Sequence, residues 1–93
     1  MADSEREARI TQALNAALQP IRCTLENESH LHRGHVGATT GKGHFRLHIV
    51  AAAFAGKTAI ARHRMVYGAL ASLLETDIHA LSIEALSPDE FAR

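Results

Sequence analysis

The order in which helical and strand periodicities follow one another constrains the fold of this chain more than any other feature. Apolar side chains at Ile10, Leu14 and Leu18 recur with helical spacing, whereas residues 21–28 alternate between apolar and polar as a strand does. The predicted elements are a helix at 4–19, a strand at 21–28, a strand starting near 44, a helical region at 57–74 with a break near 62–64, a strand at 78–85 and a short helix opening at 87.

This order of elements predicts a fold class. Two strands in succession favour an antiparallel pair, whereas a strand, a helical region and a further strand imply a right-handed crossover and a parallel pair. The sequence therefore predicts an α+β domain in the order α-β-β-α-α-β-α. Its three-stranded mixed sheet is expected to carry the helices on one face.

Residues that start and stop helices support the terminal elements. Ser4 with Glu7 and Ser87 with Glu90 match the capping box, in which the serine hydroxyl and the later carboxylate bind free backbone N–H groups. Pro20 prevents the first helix from continuing. Helices are therefore expected to begin near residues 4 and 87.

The length and composition indicate one domain. A domain of 93 residues buries roughly 60–65% of its unfolded surface, and 46% of the residues are hydrophobic. We expect a single domain over residues 1–93 with its core at about 4–92. The chain begins with a polar, acidic segment and contains no apolar run of the roughly 18 residues needed to cross a bilayer. A cytoplasmic protein is the prediction.

The single cysteine, Cys23, excludes an internal disulfide and an all-cysteine metal site. Its place in the alternating run points it inward, which favours a buried packing residue over the alternative of an accessible redox thiol. The chain also lacks a central carboxylate pair, a Gly-x-Ser-x-Gly elbow and a phosphate-binding Gly-x-x-x-x-Gly-Lys-Ser/Thr loop. We therefore predict that the chain is not an enzyme.

A neutral net charge conceals a basic centre. Residues 32–64 hold six of the ten Lys and Arg residues and five of the seven histidines, with no Asp or Glu. The formal charges of residues 1–31, 32–64 and 65–93 are −2, +6 and −4, which sum to zero. Such an asymmetry favours an anionic partner, a metal, or both.

Two histidine-bearing segments are candidates for a site. Residues 30–43 are rich in glycine without an apolar period, which predicts a long loop. The spacing of Gly34 and Gly37 matches the nucleic-acid clamp of KH domains, but that clamp joins two helices, so a turn is favoured here. His79 shares the predicted strand face of Leu81 and Ile83, which would place its ring at the rim of the core.

Four short motifs together resemble the BolA family. They are His-Phe at 44–45, Phe-Ala-Gly at 54–56, Arg-His-Arg-Met-Val-Tyr at 62–67 and Ile-His-Ala-Leu at 78–81. The resemblance extends from about residue 26 to residue 86. It implies a KH-like α+β fold.

The resemblance also implies a partner and a shared cofactor. In that family a monothiol glutaredoxin cysteine, a glutathione thiolate and two side chains of the BolA protein hold a [2Fe–2S] cluster. The histidine of the last strand corresponds to His79, and the loop ligand corresponds to His35, which makes this chain a histidine-loop type. His30 and His32 are additional imidazoles that could replace His35. The isolated chain is expected to be a monomer without cofactor.

The alternative function is that of a DNA-binding transcriptional regulator. Some BolA proteins are described as regulators, and their helix-turn-helix-like segment corresponds to residues 54–74. Under this hypothesis the phosphate contacts are made by Lys57, Arg62 and Arg64. DNA binding is then weak and salt-sensitive, because so few basic side chains lie together.

Overall fold

The computed structural model describes residues 3–28 and 43–93 and confirms the predicted order of elements. Its helices and strands are α1 (Asp3–Leu18), β1 (Arg22–Asn27), β2 (Gly43–Val50), α2 (Ala59–Ala69), α3 (Ala71–Thr76), β3 (Ile78–Leu86) and α4 (Pro88–Ala92), with a short 3-10 turn at Ala52–Phe54 between β2 and α2. No helix within these ranges is long and apolar enough to cross a bilayer.

The three strands form one mixed sheet in the order β1-β2-β3. β1 pairs antiparallel with β2, so that Cys23 lies opposite Ile49. β2 pairs parallel with β3, so that Leu47 lies opposite Ile83. The predicted crossover between a parallel pair is therefore confirmed, with α2 and α3 as its helices.

One face of the sheet, the core face, is built on the central strand. Phe45, Leu47 and Ile49 alternate along β2 and are at most 2% exposed. They pack in one cluster with side chains of α1, the 3-10 turn, α2 and the start of β3, which are Ile10, Leu14, Phe54, Val66, Leu70 and Ile78. Burial of these side chains removes apolar area from water at about 25 cal/mol per Å², which drives the helices onto this face.

The opposite face, the outer face, carries polar side chains. His44, Arg46 and His48 of β2 point to it, and Phe91 of α4 lies over its far end, with ring centroids of His48 and Phe91 6.0 Å apart. The predicted arrangement of helices on one face thus holds for α1, α2 and α3. The short α4 reaches the other face through Phe91.

The helical region breaks at a different position from the predicted one. Residues 62–64 lie inside α2, and the break falls at Leu70, which has φ −107° and ψ 11°. The Leu70 N–H donates to the carbonyl oxygens of Val66 and Tyr67 at 3.1 and 3.2 Å. The break lies two residues after Gly68, a residue type that weakens helices, and the Leu70 side chain is fully buried in the core.

Arg62 joins α2, β3 and α4 in one contact, which we call the Arg62 clamp. Its Nη1 donates to Glu90 Oε1 at 2.6 Å and to the Ala85 carbonyl at 2.9 Å, and its Nε donates to the Lys57 carbonyl at 3.0 Å. Glu90 also completes the predicted capping box, since its Oε1 accepts from the Ser87 N–H at 2.8 Å. The clamp fixes the C-terminal end of β3.

The Arg62 clamp predicts an acid-sensitive contribution to stability. The hydrogen bond from Arg62, followed by that from the Ser87 backbone, lowers the pKa of Glu90 from 4.5 to about 2. Because the folded-state pKa is depressed, the contribution is complete above pH 4.5 and is lost as the pH falls towards about 2. We expect Tm to fall more steeply across this window in the wild type than in Glu90→Gln. Parallel Tm profiles would show that the clamp makes no such contribution.

Candidate functional site

A β-bulge sets the position of His79. Gly43 pairs with Ile78 and His44 pairs with Ala80, so His79 is an extra residue between two consecutive pairs of the β2–β3 ladder. Its side chain is exposed. The prediction that His79 shares a face with Leu81 and Ile83 is therefore wrong, because an extra residue reverses the alternation.

One feature of the sequence could have revealed the bulge. Ile78 is 3% exposed and Leu81 is partly buried against the same core, although they are three residues apart. Regular strand alternation cannot place residues with that spacing on one face. The two apolar residues at 78 and 81, three positions apart, are therefore the sequence signal of the extra residue.

The bulge brings two imidazoles together. The ring centroids of His44 and His79 lie 4.8 Å apart, with the ring planes inclined at 54°. His44 is half-buried at the start of β2, and His79 is exposed beside it. By sequence alone, His44 is placed only in the His-Phe motif at 44–45. The structure makes it the aromatic neighbour of the predicted ligand.

Both ends of the segment at 29–42 lie close to this pair. The Glu28 N–H donates to the His44 carbonyl at 2.7 Å, and the Gly43 N–H donates to the Asp77 carbonyl at 2.9 Å. The described chain therefore stops and resumes at the end of the sheet where β2 and β3 begin.

The predicted loop ligand lies within that segment. His35 and its alternatives His30 and His32 are outside the described residues, as is the predicted turn between Gly34 and Gly37. The structure thus locates one of the two predicted ligands, His79, and leaves the loop ligand a prediction.

The described part of the chain does not supply a complete set of metal ligands. Across residues 3–28 and 43–93, no three His, Cys, Asp or Glu side chains converge on a point that could hold a metal ion. Burial raises the pKa of the Cys23 thiol, which disfavours the thiolate form that binds metals. The half-buried position of Cys23 agrees with its predicted packing role.

The predicted phosphate-contacting residues have different environments. Lys57 and Arg64 are exposed, as is His63 between the two arginines. The Arg62 side chain is only 11% exposed and is held by Glu90. Arg62 thus differs from the other two predicted phosphate contacts, because its guanidinium is already used inside the Arg62 clamp.

The outer face also contains a cleft of about 350 Å³. It is lined by Arg22, Thr24, Glu26, Arg46, His48, Glu84 and Phe91. His48 Nε2 lies 3.3 Å from Glu84 Oε1, and the Arg22 guanidinium lies 5.3 Å from the Phe91 ring centroid. Side chains of both charge signs line this cleft, which is typical of a solvated sheet face.

Comparison with known proteins gives a consistent match. A family model described as BolA-like protein matches residues 14–90. The chain is 38% identical over 88 residues to the protein named BOLA1, chloroplastic, of Arabidopsis thaliana, and the match covers 91% of this chain and 55% of that relative. It is 35% identical over 83 residues to the Escherichia coli protein named DNA-binding transcriptional regulator BolA, covering 89% of this chain and 76% of that relative.

A solved structure has the same fold. The BolA domain of SufE1 from Arabidopsis thaliana superimposes with a TM-score of 0.80 at 41% sequence identity, over 91% of this chain and 94% of that domain. The mixed sheet and the four helices described above are thus those of a known domain.

Proposed function

The chain belongs to the BolA-like protein family, and on that premise we propose that it is a non-enzymatic partner of a monothiol glutaredoxin. In this proposal His79 and a loop histidine, His35, co-ligate a [2Fe–2S] cluster whose other ligands are the glutaredoxin cysteine and glutathione. The role would be iron–sulfur assembly or trafficking, or the sensing of iron or redox state. The cytoplasm is the proposed compartment, although one relative is named chloroplastic.

The observation that carries this proposal is the geometry at His79. A metal ligand must be reachable from outside when part of the ligand set belongs to another protein, and the His79 ring is exposed at the edge of the sheet. The residues on either side of the 29–42 segment lie at the end of the sheet where β3 begins, since Glu28 bonds to His44 and Gly43 pairs with Ile78. The residues that flank the segment carrying His35 therefore lie near His79.

The residues of this chain suit a cluster that is held jointly with another protein better than a cluster held by this chain alone. Imidazole nitrogen is an acceptable iron ligand, and the described residues hold no complete ligand set of their own. Histidine in place of thiolate raises the reduction potential of a [2Fe–2S] centre. His79 would supply one neutral nitrogen, and the packing of its ring against His44 restricts the directions from which it does so.

Titration of the chain into a cluster-loaded monothiol glutaredoxin tests the proposal. We expect a change in the visible circular dichroism spectrum and co-elution of the two proteins with iron on size-exclusion chromatography. A spectrum that stays that of the glutaredoxin alone, with the two proteins eluting separately, would overturn the proposal.

DNA binding is a second candidate, favoured by the name of the Escherichia coli relative. The structure reduces its proposed contacts to Lys57 and Arg64, because the Arg62 guanidinium is occupied by Glu90 and the Ala85 carbonyl. Two phosphate contacts give weak binding. The logarithm of the association constant is then expected to fall with the logarithm of salt concentration at a slope of about −2.

Fluorescence titration with duplex DNA at two salt concentrations tests this second candidate. We expect Lys57→Glu and Arg64→Glu each to abolish binding at low salt. Arg46→Glu is the matched control, because it makes the same change of charge on the outer face, where the Arg46 side chain is 61% exposed. Equal losses in all three variants would indicate attraction by net charge rather than a site on α2.

A further inference from the structure

A buried carboxylate, Asp77, joins α3 to β3. Asp77 is 5% exposed, and its Oδ2 accepts from Arg9 Nη2 at 2.7 Å. Arg6, itself 8% exposed, places its Nε 3.7 Å from Asp77 Oδ1. A buried charge persists only where it is paired and hydrogen-bonded. Two guanidinium groups of α1 therefore hold the start of β3.

The backbone of the same residue is fixed on both sides. The Asp77 N–H donates to the Leu73 carbonyl of α3 at 2.7 Å, and its carbonyl accepts from the Gly43 N–H of β2 at 2.9 Å. One residue thus connects α1, α3 and β2. The β-bulge that exposes His79 begins immediately after it, at Ile78.

The buried ion pairs of Asp77 suit a role in setting the register of β3 against β2. Buried ion pairs add little net stability compared with apolar side chains of the same volume, and their best-established use is to specify one arrangement among several. Strand β3 has an alternative arrangement available, because without the bulge, and with Ala80 still opposite His44, His79 would pair with Gly43 and turn to the core face. Asp77 opposes that slip by anchoring the strand one residue before the bulge.

We infer that Asp77, held by Arg6 and Arg9, is a positioning residue that sets the β3 bulge and thereby directs His79 outward against His44. The inference rests on the proposed function only in so far as His79 is a ligand. The geometry of the two rings can be measured in the free protein, without any cluster or partner.

The test compares two ion pairs at opposite ends of one strand. Asp77→Asn removes the carboxylate at the start of β3, and Glu90→Gln is the matched control in the Arg62 clamp at its other end. The first measurement is the nuclear Overhauser effect between the His44 and His79 rings in the free chain. We expect it to be present in the wild type and in Glu90→Gln, and to be lost in Asp77→Asn.

A second measurement separates positioning from general loss of structure. We expect Asp77→Asn to bind cluster-loaded glutaredoxin about 10- to 100-fold more weakly, the range found for residues that orient metal ligands. If Asp77→Asn fails to fold, Arg9→Gln serves instead, since the Arg9 side chain is 37% exposed and its replacement leaves Arg6 in place. Arg9→Lys should restore part of the ring contact because it restores the charge.

The outcomes distinguish this inference from the proposed function. A ring contact that persists in folded Asp77→Asn, or that is absent from the wild type, would overturn the positioning role. Loss of the ring contact in Asp77→Asn supports that role. If the ring contact is lost while neither Asp77→Asn nor His79→Ala alters the glutaredoxin complex, the positioning role stands and the proposed ligand role of His79 falls.

Discussion

His79→Ala is expected to abolish the cluster-bearing complex with a monothiol glutaredoxin while leaving the fold intact. The His79 side chain is exposed, and exposed substitutions change the free energy of unfolding by less than about 0.5 kcal/mol. Loss of a ligand, by contrast, removes an iron–nitrogen bond, and no three potential metal ligands converge among the described residues to hold the cluster in its place. The measurements are visible circular dichroism of the complex and Tm of the free variant.

His63→Ala is the matched control for this prediction. His63 is, like His79, an exposed imidazole, but it lies on α2, away from the β-bulge. We expect it to leave both the spectrum and Tm unchanged. An unchanged spectrum in His79→Ala would exclude His79 as a ligand, whatever the control shows.

The second ligand can be assigned with the same assay. We expect His35→Ala to alter the spectrum and His32→Ala to leave it unchanged. His44 is the imidazole nearest to His79 among the described residues, with ring centroids 4.8 Å apart. A spectrum that changes in His44→Ala but not in His35→Ala would transfer the second ligand from the loop to the start of β2.

Phe54→Ala is expected to cause the largest loss of stability, about 3–5 kcal/mol in the free energy of unfolding. Phe54 is fully buried in the 3-10 turn and packs in the cluster that joins the sheet to α2. Its removal costs the transfer free energy of the ring and leaves a cavity that neighbouring side chains fill only partly. For a domain of this size such a loss lowers Tm by at least about 12 °C.

A second phenylalanine supplies the matched control. Phe91 is 43% exposed on α4, so its replacement by alanine removes the same atoms from a site that water already reaches. We expect Phe91→Ala to lower Tm far less than Phe54→Ala, as measured by thermal unfolding of both variants. Equal effects would mean that Phe91 over the outer face contributes as much as the core.

Much of the fold was predictable because its determinants are local. The helical spacing of Ile10 and Leu14 and the capping box of Ser87 with Glu90 act within a few residues, and the structure confirms the elements they predicted. The positive φ of +75° at Gly56 is likewise a local matter, since glycine adopts this backbone conformation without steric cost. The position of the break was predicted wrongly, because leucine is not a helix-breaking residue and the burial of Leu70 depends on tertiary contacts.

The sequence by itself determined the order of elements, the mixed sheet, the isolated cysteine and the motifs that identify His79 as the candidate ligand. Only the tertiary structure decided how His79 is presented. The bulge depends on partners distant in sequence, since Asp77 is held by Arg9 of α1 and by Gly43 of β2. The tertiary structure likewise decided that Arg62 is not available as a phosphate contact, because Glu90 reaches its guanidinium once α4 has folded back. Periodicity reports which residues are apolar, whereas these pairings depend on which distant groups the fold brings within hydrogen-bonding distance.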